Sequence, residues 1–187
     1  MAQETRSTEV ADVSFPVVPL VNVLARWAYS EISDGRTAIF YDHGLGIDGL
    51  RDKRRRGVPF SDLTSDDQRQ LAANCVDARR GLMMHLYGIV SFQEQHLTKS
   101  QIAPFLVPEN VSGFPSMVRF DEFVETPSPG PDDARSENRP YTGIPDDPLT
   151  IGRRAGDHVL VDGYHRAVSF WRTAPDDVLI VGYIPVG

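Results

Sequence analysis

The fourteen-residue stretch VLVDGYHRAVSFWR near the end of the chain constrains the fold most, because it predicts a strand, a tight turn and a helix in direct succession. Residues 159–161 are an apolar run typical of a strand packed on both faces. Asp162 is a candidate N-cap whose carboxylate would accept the amide of His165. Gly163 permits a tight turn or a close approach of the backbone to a ligand. The apolar residues from Ala167 onward predict a helix that packs on the preceding strand.

The polar residues of this turn are suited to binding an anion. The first helical turn contains Tyr164, His165 and Arg166, and its unpaired amides and helix dipole favour negative charge. An imidazole and a guanidinium add donors suited to phosphate. Asp162, Gly163, Tyr164, His165 and Arg166 are therefore the candidate binding residues. The same five residues could also form only a capped strand-to-helix turn.

The surrounding sequence predicts the order strand, hairpin, strand, DGYHR, helix and final strand, over 145–186 or from 117 onward. In this order the chain resembles the ParB/sulfiredoxin superfamily, whose members carry a DGHHR- or GGCHR-like sequence at this junction. The resemblance implies that His165 and Arg166 contact nucleotide phosphates. Tyr164 stands where sulfiredoxins carry their reactive cysteine, so the sulfiredoxin mechanism is excluded.

The resemblance implies several activities, among them ATP-dependent phosphoryl transfer, CTP-linked DNA segregation and nuclease action, and the fold does not choose between them. Segregation proteins of the superfamily append a helix-turn-helix, whereas fifteen residues follow Arg172 here. We therefore expect an enzyme that uses ATP, or another nucleoside triphosphate, with Mg²⁺, for phosphoryl transfer to a small-molecule acceptor or for hydrolysis. A nuclease and a non-catalytic nucleotide- or partner-binding module are the alternatives.

Residues 121–150 differ most in composition from the rest of the chain, with eight acids, two arginines and six prolines. Such a segment is either an ordered loop over a site or a flexible linker, and we favour the loop because it leads directly into the motif. Phosphoryl transfer needs a carboxylate that orients or deprotonates the acceptor. Glu122, Glu125 and Asp162 are the candidate catalytic carboxylates.

The composition excludes several classes of protein. A net charge of -7 makes nucleic acid an unexpected partner, because phosphate is usually neutralised by clustered Lys and Arg. No apolar run approaches the roughly eighteen residues that a transmembrane helix needs, and no signal peptide is visible, so we expect a cytoplasmic protein without a membrane partner. The single cysteine, Cys75, excludes an internal disulfide and a zinc cluster of cysteines.

A long amphipathic helix is predicted at 65–92. Its apolar positions recur in steps of three and four residues: Leu71, Cys75, Ala78, Leu82, Leu86 and Ile89. Because Cys75 lies on this apolar face, it is predicted to be a buried, unreactive thiol.

The rest of the N-terminal part carries weaker signals. We predict a mobile tail at 1–13 and then an extended lead-in rather than a strand, since two prolines interrupt 14–20. The glycine-rich loop at 43–49 matches no ligand fingerprint. The basic cluster at 51–56 is interpreted as a solvated face, with an anionic ligand as the alternative.

The predicted fold is α+β: a compact mixed sheet containing 149–152, 159–161 and 178–186, backed by the helix of the motif and by the helix at 65–92. After the tail, we expect a helical part at 14–116 and a motif domain at 117–187, packed as one compact unit.

Overall fold

The computed structural model describes residues 16–32, 47–130, 133–137, 139–143 and 148–187. The predicted tail at 1–13 and most of the glycine-rich loop at 43–49 lie outside these residues.

Within the described residues, seven strands form one mixed sheet. They are β1 (Val17–Pro19), β2 (Ser91–Leu97), β3 (Leu106–Val107), β4 (Val118–Arg119), β5 (Leu149–Arg154), β6 (Asp157–Asp162) and β7 (Ile180–Pro185). Their order across the sheet is β1-β2-β7-β5-β6-β3-β4. The pairs β5–β7 and β3–β6 are parallel and the other pairs are antiparallel. The predicted α+β class is confirmed, and strands from both sides of position 117 belong to the same sheet.

The helices cover both faces of the sheet. They are α1 (Leu20–Glu31), α2 (Asp48–Arg55), α3 (Ser65–Ala78), α4 (Arg80–Met83), α5 (Lys99–Ile102), α6 (Glu109–Ser112), α7 (Phe120–Glu125) and α8 (Tyr164–Thr173). One hydrophobic cluster joins α1, α2 and α3 to the sheet residues Val161 and Tyr183. A second cluster joins α7 and α8 to Leu160 and Ile184, whose side chains leave the opposite face. In the described part of the chain, no helix has the length and apolar character needed to cross a membrane.

The predicted helix at 65–92 begins as expected but is wrong in its second half. A capping box starts α3, because Thr64 Oγ1 accepts the amide of Asp67 and the Asp67 carboxylate accepts the amide of Thr64. The helix ends at Ala78, and Arg79 leaves the helical conformation with φ -114° and ψ 27°. There the Arg79 guanidinium forms an ion pair with Glu31 of α1. The apolar periodicity therefore continues past the point where the backbone stops being one helix.

The chain after α3 turns toward the sheet and then enters it. A 3-10 helix at Met84–Leu86 places the carbonyl oxygen of His85 against Gly152 of β5, where a Cβ would lie 2.4 Å from that oxygen. Residues Ser91–Leu97 then form β2, which pairs with β1 and β7. The hydrogen bonds of β2 with β1 and β7 decide the conformation of this segment, and the spacing of apolar residues in the sequence does not reveal those bonds.

The predicted extended lead-in at 14–20 is in part a strand of the sheet. Residues Val17–Pro19 form the edge strand β1, paired with β2. Proline is compatible with this position because an edge strand leaves one side of its backbone unpaired.

Candidate functional site

The turn between β6 and α8 is built around Gly163. This residue has φ 94°, in the left-handed region, and occupies the N-cap position of α8. A Cβ at Gly163 would lie 2.5 Å from Leu149 Cδ2 and 2.9 Å from Arg166 Nη2. Both the backbone conformation and the available space therefore require glycine.

Gly163 rather than Asp162 occupies the N-cap position of α8, so the predicted N-cap residue is wrong by one position. The helix starts at Tyr164, one residue later than predicted. The Asp162 carboxylate pairs with Arg166, with 3.4 Å between Oδ2 and Nη2. The same nitrogen donates to the carbonyl of Pro148 at 3.3 Å. These two contacts fix the direction in which the guanidinium leaves the helix.

A cavity of about 520 Å³ opens at the N-terminal end of α8. Its lining comes from the first turns of α8 and from the acidic segment: Glu137, Arg139, Pro140, Tyr141, Thr142, His165, Arg166 and Ser169. The volume falls in the range that small-molecule ligands occupy. Of the five predicted binding residues, the structure therefore places His165 and Arg166 in the cavity wall.

Tyr164 does not line this cavity, and its side chain stabilises the turn. Its hydroxyl donates to the carbonyl of Leu160 in β6 at 2.6 Å. Burial raises the pKa of Tyr164 well above its ordinary value, and the negative charge of Asp162 adds to the effect. The side chain therefore stays a neutral phenol that ties the start of α8 to the strand before it.

A carboxylate that the sequence did not single out, Glu137, lies in the cavity wall. Its Oε1 accepts the backbone amide of Arg139 at 2.8 Å and Nε at 2.9 Å, while Oε2 accepts Nη2 at 2.5 Å. His165 Nδ1 lies 3.7 Å from Oε2. The Arg139 hydrogen bonds outweigh the opposing effect of burial and hold the pKa of Glu137 at about 2. Glu137 is therefore a buried, ionised group in an otherwise cationic wall.

The described parts of the acidic segment are held against α8 through their backbone. The contacts are Arg172 Nη1 to the carbonyl of Arg135 (2.5 Å), Ser169 Oγ to the carbonyl of Arg139 (2.7 Å) and the amide of Tyr141 to Thr173 Oγ1 (2.8 Å). The Tyr141 ring also packs edge-on against Phe170, with 5.1 Å between centroids. At 133–137 and 139–143 this segment is a loop packed on the helix, as the loop interpretation predicts. Its first five residues, 121–125, differ from that prediction because they belong to α7.

Arg135 anchors the same loop from its other side. Its side chain is 4% exposed and pairs with Asp133 at 2.7 Å. It also donates to the carbonyl of Ser112 and lies over the Phe123 ring, 4.9 Å from the centroid. A buried guanidinium with these partners gives the loop a fixed point near the cavity.

Glu122 and Glu125 lie elsewhere. Both are exposed on α7, and the carbonyl of Val124 between them accepts from Arg172 in the last turn of α8. Neither carboxylate lines the cavity that contains His165 and Arg166. Nothing in the sequence distinguishes Glu137 from the other acids of the segment. An arginine follows it by two residues, but the same is true of Asp133.

The donors of the cavity suit a phosphate better than a bare metal ion. Its wall contains the His165 imidazole and the Arg139 and Arg166 guanidinium groups, close to the N-terminal end of α8. Among the described residues, no group of three or more His, Cys, Asp or Glu side chains could hold a metal ion. A Mg²⁺ ion here would be held mainly by nucleotide phosphates and water, as is common for this ion.

Comparisons with protein-family models, with curated proteins and with solved structures found no match for this chain.

Proposed function

We propose that the protein binds a nucleotide in the cavity at the start of α8 and uses ATP, or another nucleoside triphosphate, for phosphoryl transfer to a small-molecule acceptor or for hydrolysis. One observation carries this proposal: a cavity of about 520 Å³ has His165 and Arg166 in the same wall, at the N-terminal end of α8. The resemblance of the DGYHR motif to the ParB/sulfiredoxin superfamily supports the same assignment.

In this proposal the phosphates lie over the first turn of α8. The amides of that turn and the guanidinium of Arg166 donate to the phosphate oxygens, and His165 adds a further donor. Pro140 and Tyr141 line another part of the cavity and offer apolar surface to a nucleobase. Asp162, which lies 3.4 Å from Arg166, stays the candidate carboxylate for orienting the acceptor.

Calorimetry with ATP, ADP, CTP and GTP, with and without Mg²⁺, tests the binding site. We expect Arg166→Ala to weaken nucleotide binding by roughly 1.5–3 kcal/mol, the range for hydrogen bonds to charged groups. Arg80→Ala is the matched control, because Arg80 is an exposed arginine of α4 paired with Asp77. The assignment is wrong if the folded wild type binds no nucleotide, or if Arg166→Ala and Arg80→Ala bind equally well.

A non-catalytic nucleotide-binding module is the second candidate, and the state of Glu137 favours it. This residue is the carboxylate in the described cavity wall, and Arg139 already engages both of its oxygens. Wild-type protein incubated with ATP, Mg²⁺ and a panel of amino acids, sugars and nucleosides distinguishes the two. If wild type releases ADP and Arg166→Ala does not, the result supports an enzyme. If wild type binds ATP tightly but releases no ADP, the result supports a binding module. Metal-dependent nicking of plasmid DNA that ATP does not stimulate would point to a nuclease.

A further inference from the structure

Glu137 occupies a position in the cavity that resembles that of a bound anion. Its carboxylate is 7% exposed and accepts four hydrogen bonds from Arg139, one from the backbone amide and three from the guanidinium. Nδ1 of the His165 imidazole lies nearby, 3.7 Å from Oε2. A guanidinium fork, a backbone amide and an imidazole are the donors that also bind phosphate.

A phosphate could not use these donors while Glu137 stays in place. Two anions at contact distance in a partly buried site repel each other strongly, because the effective dielectric constant there is far below that of water. The Arg139 donors are also already engaged, so a phosphate would have to break hydrogen bonds that stabilise the carboxylate.

The contacts that hold this loop on α8 do not use the Glu137 side chain. The contacts between this loop and α8 involve backbone carbonyls, including that of Glu137 itself, which lies 3.2 Å from Arg172 Nη1. Ser169 holds the carbonyl of Arg139 in the same way. Rotation of the Glu137 side chain therefore leaves these anchors intact.

We propose that the Glu137 carboxylate is an internal competitor of the ligand: it occupies the Arg139 donors beside His165 in the free protein and is exchanged for a ligand phosphate on binding. This inference rests on the proposed function, and it makes the free protein a self-inhibited form of the binding site.

Calorimetric titration with ATP tests the exchange in three proteins: wild type, Glu137→Gln and Asp176→Asn. We expect Glu137→Gln to bind at least about tenfold more tightly, because the repelling charge is removed while the shape of the side chain is kept. Asp176→Asn removes an equal charge from a side chain that is 97% exposed and absent from the cavity wall, and its Kd should stay within about twofold of wild type. Equal or weaker binding by folded Glu137→Gln overturns the inference and leaves the proposed function standing. No binding by wild type or Glu137→Gln overturns both.

A second measurement needs no variant. The ¹³C resonance of the Glu137 carboxyl group, followed against pH, should titrate at about 2 in the free protein. With saturating ATP the midpoint should rise to the ordinary glutamate range or above, because the carboxylate has lost Arg139 and lies near a phosphate. An unchanged midpoint in the ATP complex contradicts the exchange.

Discussion

At the scale of single residues, the candidate site depends on one backbone conformation and one buried charge. Gly163 allows β6 to turn into α8 within a single residue, so that His165 and Arg166 lie in the first helical turn. Glu137, in the loop that packs on α8, places a negative charge in the same cavity wall. Each residue can be tested separately from ligand binding, through the stability of the protein.

Gly163→Ala should lower the free energy of unfolding by roughly 2–4 kcal/mol, because strain at φ 94° adds to overlap with Leu149. Gly156→Ala is the matched control, since Gly156 has φ 95° but nothing within 4 Å of an added Cβ. It should cost only the backbone strain, roughly 1 kcal/mol. Urea unfolding of both variants measures the difference, and equal losses would show that space at Gly163 is unimportant.

The Glu137 carboxylate should make stability depend on pH in the acid range. Its pKa is about 2 in the folded protein against an ordinary value of 4.5, so the unfolded chain takes up the proton first as the pH falls. The stabilisation is complete above the ordinary value and disappears as the pH falls through the folded value. We expect the difference in unfolding free energy between wild type and Glu137→Gln to shrink between about pH 5 and pH 2. A difference independent of pH would contradict the Arg139 contacts.

At the scale of secondary-structure elements, the backbone between α4 and β2 lies very close to the backbone of β5 at one point. The carbonyl oxygen of His85, in the 3-10 helix after α4, lies next to the position that a Cβ atom at residue 152 of β5 would occupy. Gly152 is the residue that leaves this space open. The contact holds the chain at the point where it passes from α4 into β2.

Gly152→Ala should destabilise the protein by roughly 2–3 kcal/mol, because the added Cβ would lie 2.4 Å from a backbone oxygen that cannot rotate away. Gly49→Ala provides the contrast. Gly49 lies in α2 with no atom within 4 Å of an added Cβ, so the higher helix propensity of alanine should leave stability equal or slightly increased. Thermal unfolding of the two variants measures these effects. If Gly152→Ala were as stable as wild type, the 3-10 helix would be able to move off the sheet.

At the scale of the whole molecule, the sheet separates the cavity from the single cysteine. Cys75 is fully buried in the cluster formed by α1, α2 and α3. The cavity lies beside α8, which packs in the cluster on the other face. Cys75 therefore has no route to a ligand at His165.

Cys75→Ala should keep nucleotide affinity and any turnover within about twofold of wild type, and it should cost about 1 kcal/mol of stability for the lost sulfur atom. Native protein should react with a thiol reagent only as fast as it unfolds. Rapid labelling of the folded protein, or loss of turnover in a folded variant, would place Cys75 at a second site.

Local sequence determined the features whose causes lie within a few residues of the chain. The apolar run of β6, the glycine at the turn and the apolar face of α8 predicted the strand–turn–helix junction, and its first turn does contribute His165 and Arg166 to a cavity. The start of α3 and the burial of Cys75 were predictable for the same reason, since capping and helical periodicity are local properties.

Only the tertiary structure decided the features that depend on partners distant in sequence. Residues Ser91–Leu97 became β2 because β1 and β7 complete its hydrogen bonds, although its glutamines and glutamate are also compatible with a helix. The acid that reaches the cavity is Glu137 rather than Glu122 or Glu125, because α8 and the buried Arg135 hold the loop along the helix. All three are glutamates of the same acidic segment, and their positions in the sequence do not show which one reaches the cavity. Their positions differ because hydrogen bonds between segments more than twenty residues apart set the path of the backbone.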